Sequence, residues 1–325
     1  MIIKRREHII ILLILLTGII PFSLKGQLAK QNSLYLVDLY QVNKGYGGLD
    51  RSLSVNFNFR DQWTGIDRQP TQLSLNAHMP LYLWDGGVGF SLKSDRIGAL
   101  NITSFDISYN RIVKMAFGIV SGGVGLGFSQ ATLDGQILVT PDGVYQGANI
   151  DHRDPILLEG TDSGISPDYS LNLFIGHQFF DLGISASNFL VPQTKIGTGQ
   201  IDNRKNFNVF GRFPVALNDM ILYPSLLLKT DFQQYQTEIS ALVKSGNIFG
   251  GISLRGFSKR SLDALVFMGG IKINRHYTLS YSFDYGLSAL NQVSQGSHEI
   301  NINYNLNKLI GIGLPPEIIY NPRNL

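Results

Sequence analysis

From Ser52 onward the chain alternates apolar and polar side chains with a period of two. Between Ser52 and Phe59, Leu53, Val55, Phe57 and Phe59 fall on one face, and Ser52, Ser54, Asn56 and Asn58 on the other. Tyr277, Leu279, Tyr281, Phe283 and Tyr285 alternate in the same way with Thr278, Ser280, Ser282 and Asp284. Ile300, Ile302, Tyr304 and Leu306 alternate with Glu299, Asn301, Asn303, Asn305 and Asn307. Successive side chains of a strand point to opposite faces, so the pattern predicts strands with one apolar and one polar face. About fourteen such segments fit between Ser52–Arg60 and His298–Asn307, with little helical periodicity among them.

Alternation suits a soluble sandwich as well as a membrane barrel, but the connections separate the two. The seven odd-numbered connections hold 90 residues in all, 34 of them from Asp134 to Pro167, whereas the six even-numbered ones hold 26. Outer-membrane barrels have an even strand count, short periplasmic turns and long extracellular loops, and they close so that no backbone edge meets lipid. The predicted fold class is therefore all-β: a transmembrane antiparallel up-and-down β-barrel of about fourteen strands following an N-terminal signal peptide. The leader is residues 1–26, where Lys4, Arg5 and Arg6 precede an apolar run from Ile9 to Ile20. That run is shorter than the roughly 20 residues of a spanning helix. Residues 27–51 form an N-terminal periplasmic or plug segment, 52–307 the barrel, and 308–325 a C-terminal periplasmic tail.

Composition removes several kinds of chemistry. The absence of Cys excludes disulfides, thiolate catalysis and Cys-ligated zinc. With 27 Lys+Arg against 24 Asp+Glu, part of that excess in the leader, no polyanion-binding stripe is indicated. Gly123-x-Gly125-x-x-Phe128 superficially resembles a dinucleotide loop, yet Phe128 stands at the third glycine and Leu126, Phe128 and Ala131 continue as strand. Glycines at 122, 123, 125 and 127 instead permit bending and close backbone approach.

Three segments resemble the PorP/SprF family of the type IX secretion and gliding machinery. They are Arg60-Asp61-Gln62-Trp63, Gly296-Ser297-His298-Glu299-Ile300 and the closing Pro322-Arg323. Tyr223-Pro224-Ser225, Gly251-Ile252-Ser253-Leu254-Arg255 and Tyr281-Ser282-Phe283-Asp284-Tyr285-Gly286 follow the family's order between them. Two places depart from it: Asn43-Lys44-Gly45 stands where the family has N-P-A, and the last residue is Leu325. The resemblance implies an integral outer-membrane component of type IX secretion in Bacteroidota. Such a component is linked to a secreted adhesin or to gliding, works beside other secretion subunits, and carries no catalytic residues.

Of the motif residues, Arg60 is expected to point into the lumen, because an arginine at the lipid midplane costs about 2–4 kcal/mol. Trp63 suits an interfacial aromatic girdle. Glu299 belongs to the polar face of the last strand, and His298 to its outer face. Asp151-His152-Arg153-Asp154 is a compact cluster suggestive of a metal or acid–base site, but it lies in the acidic Asp134–Pro167 loop and lacks the calcium-loop pattern. A solvated surface loop is the simpler reading, and no catalytic residue, cofactor or metal ligand is assigned. The loop also carries apolar groups. Tyr145, Asp151, Arg153, Asp154 and Leu157 are therefore taken as a candidate surface for an exported protein's C-terminal domain or another translocon subunit. The alternative is a diffusion channel or hydrophobic-solute transporter, if residues 28–49 leave the lumen open.

Overall fold

The computed structural model describes residues 31–310 except 147–148, 155–156, 191–192, 198, 203–204, 233 and 257–261. The expected leader and the motif residues Pro322 and Arg323 lie outside the described residues.

Fourteen antiparallel strands close into a barrel. They are β1 (Ser54–Asp61), β2 (Thr71–Leu81), β3 (Gly86–Ile97), β4 (Leu100–Met115), β5 (Gly118–Asp134), β6 (Thr161–His177) and β7 (Phe180–Ser187). Next come β8 (Asn206–Arg212, resuming at Val215–Leu217), β9 (Met220–Thr230), β10 (Tyr235–Ser245), β11 (Ile248–Arg255), β12 (Ala264–Lys272), β13 (Tyr277–Gly286) and β14 (Ser297–Asn305). Each pairs with its sequence neighbours, and β1 closes on β14 in the register Ser54↔Asn305 to Asp61↔His298.

The alternation explains the faces. On β1, Ser54, Asn56, Asn58 and Arg60 are buried inside, while Phe57 and Phe59 are about 40% exposed outside. Outward Ile107, Leu126, Leu171, Ile252 and Phe267 extend this apolar exterior around the barrel, the surface a lipid-facing barrel requires.

The connections segregate by end. One end carries turns at 82–85, 116–117, 178–179, 218–219, 246–247 and 273–276, and the other carries the longest loops together with short connections at 98–99 and 231–234. Several strand boundaries shift from the sequence expectation, and two of the shifts shorten a connection on the long-loop end. Strands β3 and β4 run on until only Gly98 and Ala99 join them, with Gly98 at φ +59°. The longest loop shrinks to 135–160, because Thr161 to Pro167 pair with Asp134 to Phe128 of β5. In both places polar and glycine residues blur the period, yet the ladder continues because a neighbouring strand offers it partners. Each of the two longest loops holds a small hairpin: Val144–Gln146 with Asn149–Asp151, and Gln193–Ile196 with Gly199–Asp202.

Residues 31–52 lie inside the barrel. They contain one helical turn, α1 (Leu39–Val42), whose N-cap Asp38 accepts from the Gln41 N–H. A 3-10 turn at Lys44–Tyr46 follows, capped by the Asn43 side chain. The buried apolar core of the molecule is here: Leu34, Tyr35, Leu36, Leu39, Tyr40 and Tyr46 pack against inward-facing Phe174, Phe210, Leu227, Leu242, Val266 and Met268.

Candidate functional site: the occupied lumen and the long-loop platform

The inserted stretch is anchored at three levels. Near the long-loop end, Ser33 sits in a buried ionic cluster supplied by five strands. Its N–H donates to Glu299 Oε2 at 2.7 Å and its hydroxyl to Asp284 at 2.8 Å. Arg60 donates to the Ser33 hydroxyl and to Glu299, both at 2.9 Å, and to Asp284 at 2.6 Å. Arg255 donates to Ser33 and Asp284 and, through Nε, to Glu238 at 2.9 Å. Burying five ionised groups is tolerable because each meets opposite charge; removing one partner from such a pair costs about 3–5 kcal/mol.

At mid-height the Tyr40 hydroxyl lies 2.7 Å from Ser108 Oγ and the Tyr35 hydroxyl 3.1 Å from Ser240 Oγ. Burial pushes both phenols above their ordinary range, with nearby Glu238 adding to the effect at Tyr35, so both stay protonated. Asp38 accepts from Asn76 Nδ2 at 2.9 Å, and Gln41 donates to Ser74.

Toward the short-turn end, Asn43 donates to the carbonyls of Leu173 and Ile184, and Lys44 forms an ion pair with Asp106. The Gly48 N–H donates to His78 Nδ1 at 3.2 Å. Wall glycines make room for this passage: a Cβ on Gly89 would stand 2.5 Å from the Tyr40 hydroxyl oxygen, and one on Gly125 3.1 Å from Lys44 Nζ.

The two motif segments of the sequence meet at the seam of the barrel. Arg60 lies opposite Glu299 and Asp61 opposite His298 in the β1–β14 register, and the Trp63 N–H donates to Ser297 Oγ at 3.1 Å. Arg60, Ser297 and Glu299 are buried, whereas Gln62 and Trp63 are half-buried in the loop that follows β1. The Gln62 N–H donates to the Pro70 carbonyl. His298 is half-buried outside, with Nδ1 2.7 Å from the Tyr281 hydroxyl and its ring against Phe283.

In the 135–160 loop the cluster around His152 separates into a peg and a surface. His152 is buried; its Nε2 lies 3.0 Å from the Leu158 carbonyl and must donate there, which leaves Nδ1 to accept from the Tyr145 hydroxyl, also at 3.0 Å. Tyr145 in turn accepts from the Thr140 N–H at 2.6 Å. The histidine thus ties the loop together. Asp151, Arg153 and Asp154 are exposed and Leu157 is half-buried. Arg153 adopts φ +52°, and its N–H donates to the Asp151 carboxylate at 2.8 Å. The hairpin of the next loop packs against β6 and against this loop: Thr194 and Ile196 are buried, a Cβ on Gly164 of β6 would overlap the Lys195 carbonyl, and one on Gly197 would stand 2.8 Å from Leu158 Cδ2. The two longest loops therefore form one platform.

Sequence reasoning passed over Ser33, Glu238, Asp284 and Arg255 as site residues. Three of them sit on strands, and their available signal was a charge on an otherwise Ser- and Gln-lined face.

Compared with known proteins, residues 24–304 match the model of the family described as type IX secretion system membrane protein PorP/SprF. Among solved structures, the chain is similar to the Acinetobacter baumannii outer membrane protein Omp33, with 7% identity and a TM-score of 0.45 over 78% of this chain and 98% of that one. It is similar to CdiB from Acinetobacter baumannii at 10% identity, with a TM-score of 0.44 over 78% and 60%. A mutant of the Rh. blastica porin follows at 8% identity, with a TM-score of 0.36 over 78% and 99%. No curated protein matches the chain.

Proposed function

The chain belongs to the PorP/SprF family of type IX secretion system membrane proteins, and on that premise we propose that it is a non-enzymatic docking barrel of the outer membrane. In this reading the short turns face the periplasm and the long loops face outward, as in other outer-membrane barrels. The platform built from residues 135–160 and 188–205 then holds an exported adhesin or its C-terminal signal domain. The partner surface comprises Tyr145, Asp151, Arg153, Asp154 and Leu157.

The observation that carries this reading is the lumen, crossed by residues 31–52, whose buried side chains pack on inward-facing residues of the wall. A diffusion channel needs a continuous aqueous path, whereas here buried side chains and an ionic cluster occupy it. Interaction is left to the loops, where rigid scaffolds commonly carry binding function. The platform suits that task, since His152 and the packed hairpin order it in advance and limit the entropy lost on binding.

The test is removal of residues 136–159, joined by a short Gly-Ser linker that leaves the β5–β6 ladder intact. The variant is expected to insert in the outer membrane while surface display of the exported adhesin drops. Normal insertion with undiminished display overturns the proposal.

A further inference from the structure

On the long-loop side of the inserted stretch the lumen holds a cavity of about 130 Å³. Gln41, Val42 and Lys44 form its floor, and Asn188, Lys205 and Asn206 stand at its mouth, where β7 and β8 meet the long loop between them. Its walls are hydroxyls and amides: Ser170 and Asn172 of β6, Ser185 of β7 and Asn208 of β8. These groups hold one another in place. The Ser185 hydroxyl donates to the Val42 carbonyl at 2.9 Å, Asn172 Nδ2 donates to Ser170 Oγ at 3.3 Å, and Asn172 Oδ1 accepts from the Lys44 N–H at 3.1 Å. Asn208 is more than nine-tenths buried and donates through Nδ2 to Ser185 Oγ at 3.2 Å, yet its Oδ1 has no hydrogen-bond partner.

Charge and hydrogen bonding together define what fits. Among the described residues Lys44, Lys93 and Lys205 line the cavity, matched in number by Asp106, Asp168 and Asp231. Lys44 is paired with Asp106, and Lys93, Asp168 and Asp231 each have partners of their own. An ion of either sign meets both charges here and gains little net attraction. Val42 and Ala186 are the apolar members of the lining among the described residues, so an apolar guest would desolvate the polar walls without compensation. A buried acceptor without a donor is costly, so Asn208 Oδ1 favours a guest that brings one. A neutral molecule with several hydroxyls meets all of these conditions, since each hydroxyl both donates and accepts.

We propose that this cavity binds a neutral sugar, as a single pyranose ring. One of its hydroxyls donates to Asn208 Oδ1, and the others exchange hydrogen bonds with the serine and asparagine walls. The volume is of the order of cavities that take one benzene-sized ring, so a single ring is the unit accommodated. Among the described residues no aromatic ring lines the cavity, and without a stacking surface the affinity falls in the millimolar range. The proposal does not rest on the docking role, and the purified protein tests it without any partner.

Glucose, galactose and mannose are the probes, titrated separately against the full-length protein in nanodiscs of zwitterionic lipid and read by saturation-transfer NMR. Saturable binding of at least one is expected, with glycine, a zwitterion of small size, at least about tenfold weaker. Asn208→Leu keeps the bulk but removes the acceptor, and should weaken that sugar about tenfold. Asn206→Ala, at the exposed mouth, should weaken it about threefold. Heat-modifiable gel migration checks that each variant is folded, and where Asn208→Leu does not fold, Asn206→Ala decides alone. Absence of saturable binding by all three sugars overturns the proposal. So does glycine binding as tightly as the sugar, or folded variants that bind it as well as the native protein.

Discussion

On one side of the lumen, strands β1 to β5 turn Asn56, Asn76, Ser108, Asn110 and Ser121 inward; on the other, β6 to β12 add Phe174, Phe210, Leu227, Leu242, Val266 and Met268 to buried polar groups such as Asn172, Ser185 and Ser240. The stretch from 31 to 52 meets each wall in kind. Leu34, Leu36 and Leu39 pack on the apolar side, while Tyr40, Gln41 and Lys44 reach hydroxyls, amides and a carboxylate on the polar side. Burial of apolar area supplies cohesion without fixing direction. Hydrogen bonds between buried groups add little net free energy but penalise every misplacement. The apolar wall therefore holds the inserted stretch in the barrel, and the polar wall fixes its register.

Substitutions at three residues and a change of pH separate the contributions of the two walls. The largest effect is expected where the walls meet at the ionic cluster: Arg255→Ala removes the arginine that pairs with Glu238 and one of the two that pair with Asp284, and should cost about 3–5 kcal/mol, read by urea unfolding of the barrel in detergent. On the apolar wall, Leu39→Ala opens a buried cavity and should cost about 2–5 kcal/mol in the same assay. On the polar wall, Tyr40→Phe removes one hydrogen bond to Ser108 and should cost about 1 kcal/mol. If Tyr40→Phe proves costlier than Leu39→Ala, the division of labour between the walls is reversed.

The smallest effect is one of pH. Burial raises the folded-state pKa of Tyr35 and Tyr40 above the unfolded value near 10. Their contribution to stability is thus complete below pH 10 and is lost as pH rises beyond it. The first half unit above pH 10 should remove under about 1 kcal/mol per phenol. Unfolding free energy that stays flat from pH 9 to 11 contradicts the burial of these phenols.

Strands with one polar and one apolar face were legible in the sequence, as in Ser54 to Arg60 and Tyr277 to Tyr285. There a period of two reports directly on lipid outside and polar groups inside. The apolar wall was not legible as such. In Tyr223-Pro224-Ser225-Leu226-Leu227-Leu228, Leu226 and Leu228 face out while Leu227 faces in, so the period vanishes. The reason lies far away in the chain: an apolar residue can face the lumen only because Leu34 to Leu39 fill it. The same holds for the ionic cluster. Arg60, Glu299, Arg255 and Asp284 all lie in recognisable segments, but the links from Arg255 and Asp284 to Ser33 span more than 200 residues. Local pattern cannot reveal partners at such separations.

Residues 31–52 close the lumen in this reading, and single-channel recording in planar bilayers measures that closure. The full-length protein is expected to insert without steady ohmic conductance, while Arg60→Ala/Arg255→Ala, which releases the anchor at Ser33, should show open events. Steady conductance from the native protein, equal to that of the variant, would show that residues 31–52 do not close the lumen.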